Sequence, residues 1–133
     1  MEDLYFDTQL TSEDVAIICA AYSLYIEEVE REHKRHFNAP PDKKRNLFKN
    51  INIAKNGMDA FINQQPITAA QMLILYPSLQ YLKEIIVSDR RSSSDKEEIS
   101  ELRNMRNQIN TVLTKLKPLY DSVNDEDLSD SYL

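Results

Sequence analysis

One glycine, Gly57, serves a chain of 133 residues. Sheet folds turn at every strand end, and tight turns draw on residues that accept positive φ without a steric cost. A chain with a single glycine is therefore not expected to form a barrel, a sandwich or a doubly wound dinucleotide fold. It also has no Gly-rich loop to cradle a phosphate. What is left is helix. Apolar residues make up 41% and charged residues 29% of the chain, an ordinary globular composition, and its length suits one core.

Four helical segments can be read, each with its own start signal. The first has Thr11 as N-cap, Asp14 three residues on in a variant capping box, and Leu10 with Val15 as a hydrophobic staple. Its apolar stripe is Val15, Cys19, Tyr22, Ile26, Val29 and Phe37, with His33 in the place expected before Phe37. Pro40 and Pro41 end it near Asn38. The second opens on Asp42 as N-cap and carries Leu47, Ile51, Ala54, Met58 and Phe61 on one face. Gly57 sits beside that face. A glycine inside a helix costs about 1 kcal/mol against alanine, so either the helix bends there or another helix packs close. Asn63 to Pro66 stop it.

The third segment starts with a Thr68–Gln71 capping box and an Ile67–Met72 staple. Its stripe, Met72, Leu75, Leu79, Leu82 and Ile86, keeps phase through Pro77, which predicts one helix kinked at that proline; the alternative is a break at Tyr76. The fourth follows a Ser94–Glu97 capping box, with Ile99, Leu102, Met105 or Arg106, Ile109, Val112 and Leu116 as its stripe, and with Pro118 to kink or end it. Leu119, Tyr120 and Val123 can prolong it by a turn.

The expected architecture is all-α: an elongated, antiparallel bundle of about four helices forming one domain over residues 1–123. Residues 1–10 form an arm, with Leu4, Tyr5 and Phe6 placed to dock on the body, and residues 124–133 form an acidic tail expected to be mobile. Ile17, Ile53, Ile74 and Ile85 fall off the main stripes and predict a second buried face, which suits a homodimer.

Hardware for catalysis is scarce. The only histidines are His33 and His36. Glu30-x-x-His33 matches half of a di-iron carboxylate motif, but the second half needs a histidine the chain lacks, so neither a metal nor another cofactor is expected. Cys19 precedes His33 by 14 residues on one helix, about 21 Å at the helical rise, too far for a nucleophile and its base. The acids read as lying on solvated faces or in the ends, so no carboxylate pair stands out for acid–base work, and the chain is expected not to be an enzyme. The lone Cys19, an acidic start with no basic n-region and the lack of an unbroken apolar run point to a cytoplasmic protein with no membrane association.

Charge supplies the functional lead. Residues 1–30 carry eight acids and no Lys or Arg, residues 31–55 carry eight bases against two acids, and residues 118–133 carry five acids and no base. Arg31, Lys34 and Arg35 close the first helix, where cations suit the dipole and where Glu27–Arg31 and Glu30–Lys34 have ion-pair spacing. Lys43, Lys44, Arg45 and Lys49 open the second. Cations in a first turn oppose the dipole by about 0.3–1 kcal/mol each, so something should offset them: Asp42, the acidic tail, an acidic partner or a phosphate backbone. Asn46, Asn50, Asn52 and Asn56 on the same helix add hydrogen-bonding capacity.

These seven cations are the candidate partner- or anion-binding residues. The expected function is a non-catalytic protein-interaction module that binds and modulates, or inhibits, a larger protein. That is the manner of small helical regulators encoded by phages and mobile elements, acting in the host cytoplasm. The alternative is a nucleic-acid-binding or nucleic-acid-associated accessory protein using residues 31–55. In a variant of the first reading the acidic ends mimic nucleic acid on a partner.

Overall fold

Four helices carry the chain in the computed structural model, which describes residues 3–4, 10–35 and 40–123. They are α1 (Ser12–Arg35), α2 (Pro41–Ile62), α3 (Ala69–Ser92) and α4 (Lys96–Val123). The one addition is a two-residue antiparallel pairing of β1 (Asp3–Leu4) with β2 (Ile67–Thr68), Asp3 opposite Thr68 and Leu4 opposite Ile67. The fold is all-α, and the arm meets the body through backbone at Leu4; Tyr5, Phe6 and the acidic tail 124–133 lie outside the described residues.

Local signals set the helix starts. The Thr11 N–H donates to Asp14 Oδ2 at 3.0 Å and the Asp14 N–H to Thr11 Oγ1 at 3.1 Å, a capping box made with aspartate. Thr68 and Gln71 make the same reciprocal pair at the start of α3. Two other starts differ from expectation. Pro40, not Asp42, is the N-cap of α2; it makes no side-chain capping bond, and Asp42 sits inside the first turn. Asp95, not Ser94, caps α4, accepting from the Glu97 N–H at 2.9 Å, while Ser93 Oγ accepts from the Asp95 N–H.

The end of α2 shows where scarce glycine is felt. Gln65 N–H reaches Ala60 O at 2.8 Å and Gln64 N–H reaches Phe61 O at 3.4 Å, the Schellman pattern. The left-handed residue this pattern requires is Gln64, at φ 54°.

The helices pair as two antiparallel hairpins. In the first, Ser23 meets Met58 and His33 meets Phe48. In the second, the rings of Tyr76 and Tyr120 stack at 4.1 Å. The hairpins join where α1 meets α3: the buried Tyr22 hydroxyl donates to the Gln71 carbonyl at 2.8 Å. A Cβ on Gly57 would lie 2.6 Å from Tyr22 Oη, inside contact distance. Of the two readings of Gly57, close packing is the one realised.

Burial concentrates at this crossing. Ile18, Ala21 and Tyr22 of α1, Ala54 and Phe61 of α2, Met72, Leu75 and Leu79 of α3, and Ile109, Val112 and Leu116 of α4 form the core. The face of α1 is rotated from the expected stripe: Val15, Cys19, Ile26 and Val29 are only half-buried, and Phe37 lies outside the described residues. α3 continues through Pro77 and α4 through Pro118. Residues 70–76 of α3 are buried on every side because α1, α2 and α4 all pack on that helix. Among the off-stripe isoleucines, Ile74 is buried and Ile17 and Ile53 pack against the core, so the second face is largely taken up within the chain.

Candidate functional site

The end of the first hairpin is built differently from the crossing. No residue of 23–35 or 40–50 is buried. α1 finishes on His33, Lys34 and Arg35, and α2 restarts at Pro41 with Lys43, Lys44 and Arg45 in its first two turns. Antiparallel pairing brings the two groups to one end, fixed by the His33 and Phe48 rings with centroids 4.9 Å apart. Phe48 is 52% exposed, so an aromatic face stands open among the cations. His33 Nδ1 is buried without a hydrogen-bond partner among the described residues.

Few of these cations are matched by carboxylates. Arg31 pairs with Glu28 at 2.7 Å, in i,i+3 spacing and not with Glu27 as expected. Lys34 makes no pair with Glu30. Arg45 stands 4.0 Å from Asp42, with both side chains largely in water. Lys34, Arg35, Lys43, Lys44 and Lys49 form no ion pair with any described residue. Lys44 is half-buried and the other four are exposed. Asp42 thus offsets one first-turn cation weakly, and no described carboxylate pairs with the others. Asn46, Asn52 and Asn56 are exposed on the same helix and Asn50 is half-buried.

The structure overturns one expectation about the acids. Asp14 lies in the interior, fully excluded from solvent. Its carboxylate accepts from Lys115 Nζ at 2.5 Å, Gln108 Nε2 at 2.7 Å and the Thr11 N–H at 3.0 Å. Burial alone pushes its pKa up, but Lys115 and the Thr11 backbone and hydroxyl outweigh burial and hold it below the ordinary carboxylate range. This is a structural tie between the start of α1 and the middle of α4. The spacing Thr11–Asp14 already explained the carboxylate as a cap, and nothing local announced the partners on α4.

The remaining reactive groups stand apart. Cys19 is half-buried, and burial together with the Asp59 charge pushes its thiol up, toward the protonated form. Among the described residues no three His, Cys, Asp or Glu side chains gather as a metal site; His36, the other half of the histidine pair, lies outside them. Among the described residues no helix is long and apolar enough to cross a membrane. The residue that sequence reasoning passed over is Phe48. It reads as the edge of an apolar stripe but faces water, and its place between Lys43-Lys44-Arg45 and Lys49 was the available signal. No family model matches the chain, and neither a curated protein nor a solved structure is similar to it.

Proposed function

We propose that this chain is a non-catalytic interaction module that binds a larger protein in the cytoplasm and modulates or inhibits it. Its basic hairpin end meets an acidic surface of that partner. One observation carries the reading: five cations that form no ion pair with a described residue share a hairpin end with the exposed ring of Phe48, and no described residue of 23–35 or 40–50 is buried there. An interface anchor is typically an aromatic in a desolvated centre, while surrounding charges set orientation and association rate. In this reading the chain is a slim antiparallel bundle, bent at Pro77, that presents one end. A homodimer would have to use Phe48, Ile62, Tyr81 and Met105, the large exposed hydrophobics among the described residues. Sedimentation at tens of micromolar tests it, with twice 15.5 kDa the dimer mass.

The test of the main reading compares wild type, Phe48→Ala and the triple variant Lys43→Gln/Lys44→Gln/Arg45→Gln in capture from native lysate. A partner held by wild type and released by both variants supports it. Retention by both overturns it.

The same open ring among cations favours one second reading, single-stranded nucleic acid stacked on Phe48. A gel shift whose affinity falls steeply with salt, because neutralised phosphates release counterions, would select that reading. Milder salt dependence, falling mainly on the association rate, marks a protein partner.

A further inference from the structure

The opposite hairpin end, residues 83–106, carries six cations and six carboxylates, and three of the carboxylates lie together. Asp89, Asp95 and Glu98 line a shallow cleft of about 370 Å³ with Ser92, Ser93 and Ser94. The arginines gather with one another instead. Arg90 and Arg91 end α3, Arg103 and Arg106 are three apart on α4, and the register that stacks Tyr76 on Tyr120 sets Arg90 opposite Arg106. None of the four forms an ion pair with a described residue.

Two features mark this group as incomplete. Arg106 Nη2 donates to Asn107 Oδ1 at 3.1 Å, but its Nε is buried with no acceptor among the described residues. A buried donor left unmatched is costly, and native structures rarely leave one. Partial desolvation, and then the charges of Arg106, Arg103 and Arg91, lower the proton affinity of Arg90, the signature of like charges held within range of each other. An oxyanion between them would cancel the repulsion and give Nε its acceptor. Guanidinium offers Nε and Nη as a planar fork, which matches the paired oxygens of a phosphate.

We propose that this α3/α4 face binds a phosphate group, free or as the terminal phosphate of a small ester, between Arg90, Arg103 and Arg106. Arg91 stands at the rim and also lines an open groove of about 850 Å³ with Tyr76, Lys83, Glu84, Val87 and Leu113, where the organic part of an ester can lie beside a single carboxylate. The site is separate from the basic α1/α2 end, and its standing does not depend on the function proposed for that end.

Thermal unfolding of the full chain in phosphate, pyrophosphate, sulfate and chloride at matched ionic strength tests this. Phosphate and pyrophosphate at ten times half-saturation should raise Tm by about 4 °C over chloride. Arg90→Gln and Arg103→Gln should each raise Tm in chloride, because repulsion is relieved, yet lose most of the phosphate response. That opposite pair of signs is not expected of a merely structural residue. Arg106→Lys keeps the charge but not the fork and should weaken the response without unfolding the chain. The triple Gln variant at Lys43, Lys44 and Arg45 should respond like wild type.

Equal Tm in phosphate and chloride overturns the proposal. So does a shift shared equally by sulfate that survives Arg90→Gln, which marks a general ion effect. Stabilisation by a single-stranded oligonucleotide but by neither small phosphate also overturns it, and assigns the cluster to a polymer.

Discussion

Where α1 meets α4, the buried Asp14 has three hydrogen-bond donors; at the basic end, Lys34, Arg35, Lys43 and Lys49 are exposed and pair with no described carboxylate. The difference lies in what burial demands. A charge taken out of water must be matched, or the fold loses several kcal/mol. A cation on a surface costs little and contributes little. The pairing of Asp14 is therefore a requirement of folding, whereas the gathering of cations at the end that carries Phe48 is not. What folding does not require is free to serve recognition, and variants at the two sites should fail in different assays.

The largest effect should come from Asp14→Ala. Removing one member of a buried pair costs about 3 kcal/mol, near the lower end of the usual range because Lys115 keeps some contact with water. Urea unfolding at neutral pH measures it. The same tie fixes a pH dependence. The carboxyl of Asp14 is lowered in the folded chain from its ordinary 3.8. Its contribution is therefore complete above that value and is lost as pH falls through the lower folded value. The gap between wild type and Asp14→Ala should be full at neutral pH and shrink in acid. A gap unchanged at pH 2 would show that packing, not charge, makes the difference.

Next is Gly57→Ala. Alanine brings better helix propensity, but its Cβ meets the hydroxyl and ring carbon of Tyr22 at 2.6 and 2.7 Å. Overpacking against a rigid buried ring should win, with a net loss of about 2 kcal/mol in the same urea assay. A stabilised variant would mean that the crossing yields more readily than its burial suggests.

A smaller effect of opposite sign is expected at Gln64, exposed and left-handed at the end of α2. Glycine there relieves backbone strain, and Gln64→Gly should gain about 1 kcal/mol, read as a higher Tm. The smallest effect on stability belongs to the basic end: Lys43→Gln/Lys44→Gln/Arg45→Gln should leave stability unchanged or raise it by up to about 1 kcal/mol. Clear destabilisation would collapse the contrast by making the cations structural.

The sequence speaks clearly where the cause is local. The capping boxes at Thr11 and Thr68 and the unbroken phase through Pro77 depend on residues within a few positions of each other. The start of α4 slips by one residue because Ser93, Ser94 and Asp95 all have N-cap chemistry, and only geometry shows Asp95 taking the Glu97 N–H. α1 packs against three helices, so its buried face, Asp14, Ile18, Ala21 and Tyr22, is turned from the stripe of large apolar side chains and includes the small Ala21. The basic end is visible as composition, since both groups of cations flank one turn. The arginine group at the other end is not, because it forms across two helices and its neighbouring acids cancel it in any running count of charge.

The Asp14–Lys115 tie joins residues 101 positions apart. Each hairpin closes a short loop, so α1 with α2 and α3 with α4 can assemble early at small entropic cost. The tie needs both hairpins formed and docked, which places it on the native side of the folding barrier. Asp14→Ala should then leave the refolding rate nearly unchanged and spend its effect on unfolding, with a φ-value close to zero. In stopped-flow measurements this carboxylate would act as a latch: it does not help the chain find its fold, but it sets how long the fold stays shut.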